Sequence, residues 1–331
     1  MSLRNFDAGR ALERLTLMER IRAFEEAARH AAVEEGLVLG AIHLSIGQEA
    51  VAVGLLESLR RDDYITSTHR GHGHTLVKGA DPAAMMKELL GREGGCCGGK
   101  GGSMHIADFG VGMLGANGVV SANITIAAGA AHGVKLLGGD QVVVCIFGDG
   151  AANRGPFLEG INWAGVFDLP ILFVCEDNQY SATTRTSDMT SGDVGARAEA
   201  LGLPVTRIDG NDVEEMAATS REIIARIRAG GKPEFMHALT YRLDGHTYFD
   251  PATYRPEGEA QRMQVETCPI ARQRDLLGAA GVAAERMDEI AKAARDEMRA
   301  ALEAAKAAPW PSDDTVFDDV QDVGSPAVEA F

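Results

Sequence analysis

Cysteine is scarce in this chain: five in 331 residues, an odd number that does not suit a disulfide framework. Long apolar runs are missing too, and none approaches the ~18 residues of a membrane helix. Met1 to Arg14 is mixed and charged and has no signal-peptide core. Positive charge is in short supply. With 32 Lys and Arg against 48 Asp and Glu, the net charge is −16, so most of the surface repels a phosphate backbone and general nucleic-acid binding is excluded. A hydrophobic share of 45% and a charged share of 24% exclude a disordered chain. The expectation is a soluble, cytoplasmic protein. The residue in excess is glycine: 39 of them, well above the usual share of about 7%.

The order of elements gives the fold class. Residues 8–35 predict an amphipathic helix, with Leu12, Leu15, Met18 and Ile21 in three-residue steps and Gly36 to end it. A second helix is expected over 47–59, and Asp81-Pro82 is a start signal for a third. Eleven glycines between Gly91 and Gly118 predict a long loop. Beyond it, apolar strands at 141–147, 170–175, 205–208 and 235–240 alternate with helices at 121–138, 153–167 and 212–229. That alternation predicts an α/β fold with a mostly parallel central sheet flanked by helices. Further helices are expected over 259–278 and 282–307. Without repeats or a clear linker, residues 1–308 read as one domain with N- and C-terminal helical appendages. The acidic tail 309–331 is either a loose end or an arm that docks on a partner.

The strongest constellation sits at the ends of two strands. Gly148-Asp149-Gly150 follows one apolar strand, and Asn178 follows the next, 29 positions after Asp149. A strand-helix-strand unit needs about 30 residues, so both side chains fall at the carboxyl ends of neighbouring parallel strands, where such sheets bind ligands. A carboxylate and an amide oxygen are magnesium-type ligands, and Mg²⁺ takes its other oxygens from water and phosphate. Gly150 and Ala151 are expected to begin the following helix and to offer N–H groups to a phosphate. Read separately, each piece is also an ordinary turn; the spacing is what favours a magnesium-diphosphate site.

These residues carry a family resemblance. Gly148-Asp149-Gly150-Ala151-Ala152-Asn153 followed by Glu176-Asp177-Asn178 resembles the thiamine-diphosphate motif. More narrowly, the chain resembles the alpha subunit of the first component of 2-oxo acid and acetoin dehydrogenase complexes. The resemblance runs from about His43 to Pro256. It includes His43-Leu-Ser-Ile-Gly-Gln-Glu49, His69-Arg70-Gly-His-Gly-His74, Lys100-Gly-Gly-Ser-Met-His105, Asn117-Gly118-Val-Val120 and Tyr241-Arg242-Leu-Asp-Gly-His246. It implies a thiamin diphosphate-binding fold and places Mg²⁺ on Asp149, Asn178 and the backbone carbonyl of Tyr180. It places the diphosphate among His69, Arg70, Arg242 and His246, with Gly150 and Ala151 at its edge. The aminopyrimidine would meet the backbones of Gly118 and Val120, and His43 would lie near the substrate, so His43 and His246 are the catalytic candidates. The implied activity cleaves acetoin or a 2-oxo acid such as pyruvate, with the cofactor as electron sink. The two-carbon unit then passes to a lipoyl group on the second component. A beta subunit is expected to complete the site in a two-alpha, two-beta tetramer.

The chain departs from the family pattern in places. Asp177 stands where Asn is usual. Ser181-Ala182-Thr183 and Ser121 stand where glycine is common after Tyr180 and Val120. Asp177 turned inward would change metal or diphosphate binding; turned away, it would change little. The runs 67–74 and 112–118 look more acetoin-type than pyruvate-type. Pyruvate or branched-chain 2-oxo acid chemistry is the alternative within the family, and a non-catalytic scaffold is the alternative outside it. Gly110-Val-Gly112-Met-Leu-Gly115 fits a dinucleotide pattern but lacks the preceding strand. Gly94 to Lys100 fits most of a P-loop but has Gly101 in place of Ser or Thr. His69, His72 and His74 suggest zinc only if a fourth ligand exists; otherwise His72 and His74 read as packing or hydrogen-bonding residues.

Overall fold

The computed structural model describes residues 6–38 and 40–318. Helix α1 (Ala8–Val33) is capped by Asp7, whose carboxylate accepts the N–H groups of Gly9 and Arg10. After a loop over 40–48 come α2 (Glu49–Leu56), the short strand β1 (Tyr64–Thr66) and α3 (His72–Val77). Helix α4 (Pro82–Leu89) starts where Asp81-Pro82 signals it, with the Asp81 carboxylate accepting from Ala83 and Ala84.

The glycine-rich stretch is not all loop. Met113–Gly115 form the edge strand β2, parallel to β1. Glycine is required just before it: Gly112 has φ +79, and a Cβ there would meet the Asp63 carbonyl at 2.2 Å. Then follow α5 (Ala122–Leu136), β3 (Val143–Gly148), α6 (Gly155–Val166) and β4 (Ile171–Asp177). A hairpin, β5 (Tyr180–Ser181) and β6 (Thr184–Arg185), leads through α7 (Thr186–Met189) and α8 (Val194–Ala200) to β7 (Val205–Asp209), α9 (Val213–Arg228) and β8 (Glu234–Leu239). The segment 259–278, expected as one helix, is two: α10 (Glu259–Thr267) and α11 (Pro269–Ala279). Pro269 has no N–H to continue a helix, and Cys268 before it is extended, with ψ 113. Helix α12 (Ala284–Ala307) closes the order.

Six strands form one parallel sheet in the order β2-β1-β3-β4-β8-β7. The apolar runs of β3 and β4 are buried on both faces, as a parallel sheet requires. Val143, Cys145 and Phe147 join Phe157 and Ile161 of α6 and Ile124 of α5 on one face. Val142, Val144 and Ile146 join the core formed with α1, α2, α4, α9, α11 and α12 on the other. Helix α1 packs against α11 and α12, so the two terminal helical regions cover the same side of the sheet. Among the described residues, no helix is long and apolar enough to cross a membrane.

The first part of the tail docks on its own chain. The Glu93 N–H donates to the Pro309 carbonyl at 3.0 Å, and the Arg92 guanidinium lies 3.7 Å from the Trp310 ring centroid. Residues 319–331 lie outside the described residues.

Candidate active site

Because β3 and β4 are parallel neighbours in register Gly148↔Glu176, the residues that follow them emerge together at one edge of the sheet. Asp149 is 2% exposed, and its carboxylate accepts the Thr186 hydroxyl at 2.5 Å. Burial, with the nearby Asp177 charge adding to it, pushes its carboxyl up to about 6. The Asn178 amide donates to Gln48 Oε1 at 2.9 Å and accepts the Tyr180 N–H at 3.2 Å. The Tyr180 carbonyl accepts from Arg242 at 3.3 Å. Each of these oxygens is fixed by one partner and keeps lone-pair capacity for a cation. Gly150 and Ala151 do not begin a helix as expected. They lie in a tight 3-10 turn (149–153), and α6 starts at Gly155 because the chain must first turn off the end of β3.

Basic residues form another wall of the same cavity. Arg70 and Arg242 are 3% and 1% exposed. Arg70 donates to the carbonyls of Leu44 and His246, and Arg242 to the carbonyls of Tyr180, Ala182 and Asp244 and to the Tyr254 hydroxyl. Burial pulls Arg70 down to about 10, with the Arg242 charge adding to the effect. Two buried guanidiniums held by neutral partners call for an anion.

Three imidazoles complete the wall. The His43 ring centroid lies 4.5 Å from that of His69 and 4.7 Å from that of His246. Burial first, then the Arg70 charge, lowers His43 to about 3, His69 to about 2 and His246 to about 4, so all three are neutral at pH 7. Nδ1 of both His43 and His246 is buried without a partner. The three rings come close enough to share a metal ion. The two guanidiniums favour an anion beside these rings, however, while Asp149, Asn178 and the Tyr180 carbonyl are the oxygen donors suited to a cation.

The residues that the resemblance assigns to the cofactor, metal and substrate line one cavity of about 200 Å³: His43, His69, Arg70, Gly118, Val120, Asp149, Gly150, Ala151, Asn178, Tyr180, Arg242 and His246. The zinc grouping does not form. Only His69 of its three faces the cavity, while His72 and His74 are buried beside Glu25 and Ser67. Asp177 does not line the cavity, although its charge reaches Asp149: its carboxylate accepts the Gln179 N–H at 3.0 Å and pairs with His237 of β8 at 2.9 Å. The P-loop resemblance has a different use. The N–H groups of Cys97, Gly99, Gly101 and Gly102 all point at the Glu88 carboxylate, at 2.7 to 3.0 Å, so no phosphate can take them.

Sequence reasoning gave no role to Met104, Gln48 and Glu176, which also line the cavity, as do Ser121 and Ser181, noted above as departures from the family pattern. Glu176 is pushed up to about 7 by burial, against the pull of Gln48 and Arg70. A carboxylate closing an otherwise apolar strand was the available signal. Ser121 has φ +72, Gln179 φ +69 and Ala182 φ +51. Three side-chain-bearing residues in the left-handed region around one cavity are concentrated backbone strain, a property of functional sites.

Residues 16–313 match the family model described as dehydrogenase E1 component. The chain belongs to that family. Its members use thiamine diphosphate with a divalent metal ion, usually Mg²⁺. The chain is 41% identical to the alpha subunit of acetoin:2,6-dichlorophenolindophenol oxidoreductase from Cupriavidus necator over 305 residues, which cover 92% of this chain and 91% of that one. It is 40% identical to the protein of the same description from Bacillus subtilis, with 92% and 91% covered. It is 36% identical to the pyruvate dehydrogenase E1 component subunit alpha of Rhizobium meliloti, with 91% and 86% covered.

Proposed function

We propose that this E1-family chain is the alpha subunit of a thiamine-diphosphate- and Mg²⁺-dependent oxidoreductase that cleaves acetoin and passes the two-carbon unit to a lipoyl group of a second component. One observation carries the reading: a single cavity joins an acid-and-amide wall at the ends of β3 and β4 to a wall of two carboxylate-free guanidiniums and three neutral imidazoles. Those are the complements of a magnesium ion and of a diphosphate. The orphaned nitrogens of His43 and His246 are polar groups awaiting a partner.

When bound, the cofactor supplies the electron sink for cleaving the bond beside the substrate carbonyl. The chain's own residues bind and orient. Asp149, Asn178 and the Tyr180 carbonyl hold the metal. Arg70 and Arg242 would fix the anionic end. His69 and His246 reach the same end with neutral N–H groups, and His43 presents an imidazole that can hold or move a proton near the substrate. Gly118 and Val120 form the edge for the ring end. Gly150, at the diphosphate edge, lets Ser181 of β5 approach closely, since a Cβ on it would stand 2.2 Å from the Ser181 hydroxyl.

The cavity mouth is apolar and open. Val119 and Val120, which line it, are 63% and 45% exposed, and Ile126 in the first turns of α5 is exposed as well. A surface of that kind supports coverage by a beta subunit in a two-alpha, two-beta assembly. Relatives described as pyruvate dehydrogenase subunits, at 36% identity, make a 2-oxo acid the second candidate substrate. The test is native mass spectrometry of the protein from its own source in Mg²⁺, followed by turnover of acetoin and of pyruvate with dichlorophenolindophenol as acceptor. A heterotetramer carrying thiamine diphosphate and preferring acetoin supports the proposal. A homo-oligomer without the cofactor overturns it, and preference for pyruvate overturns the substrate.

A further inference from the structure

Glu25 lies in the middle of α1, fully buried and outside the cavity. An unpaired carboxylate there would cost several kcal/mol in desolvation, so its partners are the informative observation. One oxygen accepts both the Ser45 N–H at 3.0 Å and the Ser45 hydroxyl at 2.7 Å. The other faces His72 Nδ1 at 2.9 Å, and His72 Nε2 lies 2.8 Å from the Ser103 hydroxyl. His72, like Glu25, is 0% exposed. Against the effect of burial, the contacts with His72 and Ser45 hold the Glu25 carboxyl below its ordinary range. With the Nδ1 proton facing the carboxylate, Nε2 accepts the Ser103 hydroxyl, and the chain of bonds is satisfied from end to end.

Hydroxyl, imidazole and carboxylate in that order resemble a hydrolase triad. Ser103, however, is 6% exposed and does not face the cavity, so its oxygen has no room for a substrate. The consequence lies in what each bonded residue carries. Ser45 belongs to the loop 43–48, whose Leu44 carbonyl anchors Arg70, whose Gln48 anchors Asn178 and whose His43 lines the cavity. His72 follows Arg70 by two residues. Ser103 precedes Met104, which lines the cavity from the glycine-rich stretch. Three wall segments, distant in sequence, therefore meet at one carboxylate.

We propose that Glu25 is a positioning residue: through Ser45 and the His72–Ser103 relay it holds the 43–48, 69–74 and 101–105 segments in register, so that both walls of the cavity are set before ligand binds. The functional meaning of this register rests on the thiamine-diphosphate reading above; the register itself does not.

The test uses the full-length chain in its native assembly, with two readouts. Hydrogen exchange without cofactor reports the segments, and calorimetric titration of thiamine diphosphate at fixed Mg²⁺ reports the cavity. Glu25→Gln keeps the shape but removes the charge that both donors face. It is expected to speed exchange in 43–48 and 101–105 while leaving α12 unchanged, and to weaken cofactor binding about tenfold, the scale of one charge-assisted hydrogen bond. Ser103→Ala is expected to speed exchange in 101–105 only, and to add little to Glu25→Gln in the double variant. A uniform rise in exchange, or none in either segment, overturns the proposal, because a residue that only fills space predicts one or the other. Should Glu25→Gln fail to fold, Ser103→Ala decides alone, and unchanged exchange at 101–105 overturns it. Absence of cofactor binding by the unaltered protein sinks the cofactor reading and leaves the exchange result to stand or fall by itself.

Discussion

The Arg242 guanidinium donates to the Tyr180 carbonyl at 3.3 Å, so a residue assigned to the diphosphate also fixes a backbone oxygen assigned to the metal. The same guanidinium reaches the Ala182 carbonyl at 2.8 Å and the Tyr254 hydroxyl at 2.6 Å. A planar fork is needed to serve these directions at once, and an ammonium cannot replace it. Arg242→Lys is therefore expected to weaken Mg²⁺-dependent thiamine-diphosphate binding at least about tenfold and to lower stability by about 1–3 kcal/mol. Calorimetric titration and thermal unfolding measure the two. Unchanged affinity in the Lys variant would remove Arg242 from the site.

Asp149 is the one charged group among the three metal candidates. Asp149→Ala is expected to abolish Mg²⁺-dependent cofactor binding, read by calorimetry in the assembled protein. The unliganded carboxyl titrates near 6, so protons compete with the metal below that pH. Metal affinity should hold from pH 7 to 8 and fall progressively as pH drops through 6. An affinity independent of pH between 5 and 8 would contradict the assignment.

How much of this was legible follows the range of the interactions. The Asp149–Asn178 pair was readable because the strand-helix-strand unit fixes spacing locally, and Asp81-Pro82 marked its helix for the same reason. Arg70, Arg242 and the histidines were placed by family motifs, since nothing in their local spacing brings residues 43, 69 and 246 together; only the sheet order does that. Strand β2 was hidden because glycine density signals a loop, whereas Met113–Gly115 pairs through long-range bonds to β1. Glu25 gave no signal at all. On an amphipathic helix a glutamate reads as solvated, and its burial depends on Ser45, His72 and Ser103 arriving from elsewhere in the chain.

Ser121 offers a test of stored strain. Its φ of +72 belongs to the left-handed region, which costs a side-chain-bearing residue about 1–2 kcal/mol, and its buried hydroxyl has no partner. Ser121→Gly relieves the strain but loosens the unfolded chain. The net expectation is a gain of about 0.5–1 kcal/mol, seen as a raised Tm, with Mg²⁺-dependent cofactor binding retained. A lowered Tm would mean that the hydroxyl makes a stabilising contact in the assembled protein.

The neutral histidine cluster sets a pH dependence with a definite sign. Burial and the Arg70 charge depress His43 to about 3 and His69 to about 2, whereas in the unfolded chain each takes up a proton near 6.5. Between those limits the unfolded state binds more protons, so stability rises with pH. The contribution is fully present above about 6.5 and is lost progressively as pH falls toward 3, at up to about 1.4 kcal/mol per pH unit for each histidine. Carboxylates titrate over part of the same range, so the comparison that isolates the cluster is His43→Asn against the unaltered protein, both without cofactor. The variant is expected to show a shallower loss of Tm between pH 6.5 and 4. Bound diphosphate should reverse the effect by favouring protonated imidazoles, raising the histidine pKa values and flattening the profile of the loaded protein. Parallel Tm profiles for the variant and the unaltered protein would show that His43 is equally protonated in the folded and unfolded states, and would withdraw it from the buried cluster.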